Sequence, residues 1–117
     1  MRSPLLCGLL GSAVALTLPA AALAEGVSIT SYGHSALLIK GGGSTVLVNP
    51  FKAVACATGL KEPRVTADVV VTSSRLLDEG APIAKGTYLS NSGGFDVAGI
   101  RFEGFAAPHD RLGGRRF

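Results

Sequence analysis

Charge is scarce in this chain, and that shortage already excludes several classes. Charged residues are 16% of its 117 positions, too few for a disordered tail, a coiled coil or a charged nucleic-acid arm. The formal net charge is only +3. Its basic residues are scattered, so no stripe marks a nucleic-acid face. Arg111, Arg115 and Arg116 close the chain with no aromatic platform between them, which reads as a solvated basic tail. Gly113-Gly114 is not followed by Lys-Ser/Thr and makes no phosphate loop. Cysteine is nearly absent, with Cys7 and Cys56 alone, and no disulfide framework can be drawn from them. Long amphipathic helical patterns, internal repeats, low-complexity tracts and interdomain linkers are all missing. What is abundant is hydrophobic residues, at 47%, and glycine, with 16.

Part of that apolar excess sits at the start. Arg2 supplies a short positive region, Leu5 to Leu18 is an uncharged apolar stretch, and Pro19 opens a small-residue segment ending Ala22-Leu23-Ala24. That order of charge, short apolar run and small residues is what signal peptidase needs. Residues 1–24 are therefore expected to be a secretory signal peptide, cleaved before Glu25. An uncleaved anchor is the competing reading, but the run falls short of the ~18 residues of a spanning helix. A twin-arginine route lacks its Arg pair, and Cys7 stands too early for a lipoprotein. The mature chain, 25–117, is expected in the periplasm or secreted, with no membrane partner after cleavage. It keeps Cys56 alone, flanked by Ala55 and Ala57, and we read that cysteine as a small buried hydrophobe.

The mature chain reads as strands joined by glycine turns. Val27 to Tyr32 alternates apolar and polar, the pattern of a half-buried strand. Ser35–Lys40 and Ser44–Val48 flank Gly41-Gly42-Gly43 and form a hairpin. Asn49-Pro50 stops the third strand, and Phe51 to Val65 reads as loop. Ala67 to Thr72 is a β-branched run suited to a central strand buried on both faces. Ser73 to Gly80 offers one or two helical turns. Thr87 to Leu89 is a short strand, and Phe95-Asp96-Val97 leads through Ala98-Gly99 into the alternating Ile100 to Phe105. Five or six strands without covering helices leave a sheet face bare. The mature chain is expected to be part of a domain that needs roughly 200 residues when whole, and to self-associate through the bare face.

Three segments in this order carry a resemblance. Gly33-His34-Ser35 follows one strand, Val46-Leu47-Val48-Asn49-Pro50-Phe51 ends a second, and Ala67-Asp68-Val69-Val70-Val71-Thr72-Ser73-Ser74 ends a third. The arrangement resembles the metallo-β-lactamase fold superfamily, in particular its L-ascorbate-6-phosphate-lactonase-like branch of zinc-dependent hydrolases. There the strands lead into Gly-His-Ser, Asp-Pro and His-x-His-x-Asp-His, and Gly99 through His109 is similar to a later ligand-bearing strand. The resemblance covers Val27 to Phe117 but only the N-terminal half of the family's domain. It implies an αββα sandwich of which this chain supplies mainly one β-sheet. It also implies metal-assisted hydrolysis of a small-molecule ester, lactone or phosphoester.

The departures fall on the ligands. A catalytic zinc needs imidazole and carboxylate donors and one open position for water. After Thr72 this sequence reads Ser73-Ser74-Arg75-Leu76-Leu77-Asp78, with no histidine, and the Asp-Pro is Asn49-Pro50. Arg75 would repel a metal cation. The site is expected to lack a complete zinc centre, leaving a weakly active or inactive hydrolase-like protein, or a metal-free binding or structural descendant. His34 is a candidate at the site's edge or a structural loop residue. Asp78 is a helix-surface or capping carboxylate or a residual metal contact, and Glu79 reads the same way. His109, beside Asp110, is a remnant metal ligand or a loop histidine. Arg75 is a candidate anion contact.

Overall fold

Side-chain alternation and glycine turns set the architecture strand by strand. The computed structural model describes residues 26–108. Residues 1–25, with the expected signal peptide, and the candidate ligand His109 lie outside the described residues, as do Asp110 and the closing arginines. β1 (Ser28–Gly33), β2 (Ala36–Gly41) and β3 (Ser44–Val48) form an antiparallel meander. β4 (Thr66–Val71) and β5 (Lys85–Leu89) follow parallel to β3, giving the order β1-β2-β3-β4-β5. A separate antiparallel pair, β6 (Gly93–Val97) and β7 (Ile100–Gly104), completes the described elements. The connection from β3 to β4 contains one short 3-10 turn, Ala55–Ala57, inside an otherwise irregular segment.

The β2–β3 and β6–β7 hairpins each turn on two residues with positive φ, the geometry whose twist matches that of paired strands. In the first they are Gly42 (φ 57°) and Gly43 (φ 77°), and in the second Ala98 (φ 52°) and Gly99 (φ 73°). The strand register then sorts side chains by face. Leu38, Leu47, Val70 and Tyr88 stand opposite one another across four strands. Ala67 joins Leu38, Leu47 and Val70 in the core of that face, with Tyr32, Val65, Ala84 and Tyr88 packed against it. The other face carries the rows Leu37-Val48-Val71-Leu89 and Ile39-Val46-Val69-Thr87. Val69 and Val70 are both fully buried. Neighbouring residues on a strand point to opposite faces, so β4 is a central strand covered on both sides, as its β-branched run implies. Each such valine contributes about 1.5–3 kcal/mol by leaving water.

One expectation needs correcting. β1 alternates, but it is an edge strand that is not half-buried along its length: Ile29 is 64% exposed and Val27, just before it, 68%, while only Tyr32 near its end packs into the core. Among the described residues nothing packs over that end of the sheet. Ser73 to Gly80 holds one turn, the lesser of the one or two expected. The amides of Glu79 and Gly80 both donate to the Leu76 carbonyl, closing a single turn. Ser74 Oγ already takes the Leu76 amide and the Leu77 carbonyl accepts from Lys52, so the segment is spent on contacts a helix would need internally. Gly80 is required there, because a Cβ would collide with the Ser74 carbonyl oxygen.

Candidate functional site

The direction of the strands gathers the candidate residues. β2 runs against both β1 and β3, while β3, β4 and β5 are parallel. The carboxyl ends of β1, β3, β4 and β5 therefore share one edge of the sheet. His34, Asn49, Ser73 and Ser90 stand immediately past those four ends. In sheets with parallel crossovers, ligands collect outside the carboxyl ends of the strands.

Two residues at this edge hold left-handed backbone, His34 with φ 51° and Asn49 with φ 46°. Such conformations cost energy in residues other than glycine, and asparagine and histidine are among those that tolerate them. His34 is exposed, and its ring meets the fully buried Phe51 edge-on at 6.0 Å between centroids. Phe51 packs with Ala36, Ala57 and Tyr32. Next to His34, the hydroxyl of Ser35 is buried without a hydrogen-bond partner among the described residues.

Asn49 ties two strand ends together. Its amide donates to the Val71 carbonyl at 2.8 Å. Its side-chain oxygen accepts from the Ser73 amide at 2.8 Å and from the Ser73 hydroxyl at 3.1 Å. The loops that follow β3 and β4 are stitched further, Lys52 donating to the Leu77 carbonyl and Ala81 to the Pro50 carbonyl, each at 2.7 Å. Asp78 is buried rather than lying on a helix surface, and its carboxylate accepts from the Cys56 amide at 3.3 Å. Cys56 itself is exposed, not the buried hydrophobe its alanine neighbours imply. The 3-10 turn directs Ala57 inward to Phe51 and leaves Cys56 outside. Arg75 is exposed.

No group of three or more His, Cys, Asp or Glu among the described residues is placed to hold a metal. Ser73, where an imidazole would be needed, points its hydroxyl proton at Asn49. Asp78 is turned to backbone between two loops. Asn49, Ser73 and Asp78 are already hydrogen-bonded, while the His34 ring is exposed and the Ser35 hydroxyl is without a partner among the described residues.

Beside the edge lies a cleft of about 520 Å³, between the sheet and the β6–β7 hairpin. Val71 and Leu89 floor it, and Phe95, Phe102 and Phe105 wall it. Sequence reading found the hairpin but not this cleft. Alternation puts Phe95 and Phe102 on one side of the hairpin, yet nothing in the sequence says which sheet face receives it. At the hairpin's far end the Ser44 hydroxyl donates to the Ala98 carbonyl at 2.9 Å, pinning the turn to the start of β3.

Two carboxylates elsewhere are tuned by hydrogen bonds. The Thr45 hydroxyl (2.8 Å) and amide (2.7 Å) both donate to Asp68 and hold its carboxyl below the usual range. The Ala53 amide, with Arg64 beside it, does the same for Glu62. Neither lies at the carboxyl edge.

A five-stranded sheet beside a two-stranded β-layer, with polar residues collected outside the carboxyl ends of its strands, defines a layered β-fold. The sequence profile of the β-lactamase superfamily domain matches residues 28–117, and the chain belongs to that superfamily. A solved structure from Thermotoga maritima, assigned by inference as a Zn-dependent hydrolase of the metallo-β-lactamase superfamily, is similar with a TM-score of 0.54 and 26% identity. The match covers 70% of this chain and 39% of that one, so the chain spans about two-fifths of that relative's length. No curated protein matches. The fold is thus that part of a metallo-β-lactamase sandwich built mainly from one sheet.

Proposed function

We propose that this is an exported metallo-β-lactamase-fold protein, hydrolase-like in ancestry, whose sheet edge has exchanged its zinc ligands for a hydrogen-bonded clip. The reading includes membership of the lactonase-like branch and weak or absent hydrolysis of a small ester, lactone or phosphoester. The observation that carries it is the Asn49–Ser73 contact, in which one amide oxygen takes both the amide and the hydroxyl of Ser73. A ligand position needs a free lone pair aimed into an open site. Here the lone pairs and protons of both residues face each other and close the gap between β3 and β4. Asp78 is held in the same way by Cys56. The alternative, a metal-free binding or structural protein of the same fold, shares this edge and differs only in having no residual turnover.

Metal content decides the zinc part. Protein purified, incubated with excess Zn²⁺ and dialysed should keep less than about a tenth of an equivalent, since structural and catalytic sites alike need three or four protein donors. Near-stoichiometric zinc would overturn the reading and bring His34, Asp78 and His109 back as ligands. Export rests on residues 1–24, and the N-terminal sequence of protein recovered outside the cytoplasm should begin at Glu25. Self-association through the exposed Val27, Ile29 and Leu37 belongs to the same proposal. Sedimentation at two concentrations tests it, and a concentration-independent monomer would refute it.

A further inference from the structure

We propose that the cleft between the sheet and the β6–β7 hairpin is a binding site for an uncharged, ring-bearing small molecule. Its volume, about 520 Å³, lies within the ~300–1,000 Å³ of sites that enclose organic ligands. Three aromatic rings converge on it. Phe95 and Phe102 are directly paired across the hairpin and project to the same side. Phe105, just past the end of β7, is 82% exposed, more than any other large hydrophobic residue described. A phenyl ring standing in water beside two others, over Val71 and Leu89, is the open half of an aromatic sandwich. Rings prefer offset or edge-on partners at 4.5–7 Å, and a flat ligand in the cleft would supply the missing one.

The polar groups on the cleft set the ligand's charge. Thr72 and Ser73 line it from β4's carboxyl end, and Ser90, Asn91 and Ser92 form its rim. All are neutral donors and acceptors. The hairpin's paired ions do not line the cleft: Arg101 is bonded to Asp96 at 2.6 Å. Glu103 does line it, and this one ionisable lining residue is a carboxylate, which disfavours an anion further. An anion entering the cleft would meet no cation and would lose its hydration uncompensated. A neutral ring bearing a hydroxyl or carbonyl meets apolar walls and a hydroxyl-rich rim, each suited to it. The inference goes beyond the proposed function and does not depend on the metal question, because no lining side chain is a histidine or cysteine.

Titration of the purified chain with 2-naphthol and, separately, with 2-naphthyl phosphate tests the proposal. Amide chemical shifts of 71–73, 89–92 and the hairpin provide the readout. Saturable one-site binding of 2-naphthol is expected, tighter than that of the phosphate by about tenfold or more. Phe105→Ala removes a ring already in solvent and leaves the fold alone; it should weaken 2-naphthol about fivefold. Ala106→Trp, at another exposed lining position, should fill the cleft and abolish saturation. The proposal fails if 2-naphthol does not saturate, if the phosphate binds equally well, or if both variants bind like the parent. It also fails if Phe105→Ala dissolves a dimer without changing probe binding, which would assign the ring to a second copy of the chain.

Discussion

The two edges of the five-stranded sheet are made from similar residues yet are built for different ends. At the amino edge Thr45 and Asp68 face each other across β3 and β4, joined by three hydrogen bonds of 2.7 to 3.0 Å. Both are accessible, and neither has strained backbone. At the carboxyl edge some of the polar residues go under cover. Asn49 and Asp78 are buried, His34 and Asn49 are left-handed, and the Ser35 hydroxyl has no partner among the described residues. The first edge fixes the register of a parallel pair and nothing more is asked of it. The second spends stability on buried polar groups and strain, which proteins do where a site is or has been. Asn49 and Ser73 close this edge with bonds of their own.

The sharpest way to probe this contrast is to remove the plug on which the carboxyl edge rests. Phe51 is fully buried and is the largest side chain of the buried cluster it forms with Ala36 and Ala57. Phe51→Ala should cost about 3–5 kcal/mol in urea unfolding, because the two alanines are too small to collapse into the space. It should also release the His34 ring from its edge-on contact. A cost below about 1 kcal/mol would mean that the carboxyl edge is held by its hydrogen bonds and not by this core.

A smaller effect separates the clip from the packing beneath it. Asn49→Ala leaves the Ser73 amide and hydroxyl without their acceptor and places a Cβ-only side chain at φ 46°. The expected loss is about 1–3 kcal/mol. Asn49→Asp keeps an acceptor in the same place and should cost less than about 1 kcal/mol. The pair matters because Asp is the residue the resemblance expects here. If Asn49→Asp were as damaging as Asn49→Ala, the amide nitrogen rather than the oxygen would be the working group, and the clip as described would be wrong.

These particular residues show how far the sequence could be read. The strand series was legible because alternation and the β-branched run of β4 are local signals, and because glycine at positive φ marks turns directly. Asn49-Pro50 and Ser73 could be identified as departures from a ligand pattern, since that needs only residue identity. That they bond to each other could not, because it depends on the parallel register of β3 and β4, 24 residues apart. Cys56 was misread for a related reason. Its alanine neighbours suggested burial, whereas a three-residue turn decides which one of them faces Phe51. The segment 73–80 keeps one of the helical turns its residues allow, and beyond it Leu77 and Ala81 bond to Lys52 and Pro50 instead of continuing the helix. Long-range pairing, not composition, carries the missing information in each case.

The gentlest perturbation tests the amino edge, and its signature is pH rather than size. Asp68 is depressed first by the Thr45 hydroxyl and then by the Thr45 amide, so its carboxyl ionises more readily folded than unfolded. Stability from this group is therefore complete above the unfolded value and is lost as pH falls through the folded one. Asp68→Asn retains an acceptor oxygen but cannot carry the charge that strengthens both bonds. The parent should melt at a higher temperature than Asp68→Asn at neutral pH, and the gap should close as pH drops below about 4. Glu62, shifted in the same direction by the Ala53 amide and Arg64, is present in both proteins. Its own acid loss cancels in the difference. A gap that stays constant between pH 7 and 3 would show that Thr45 responds to the oxygen's position and not to its charge, and the amino edge would then be a neutral clip like the one between Asn49 and Ser73.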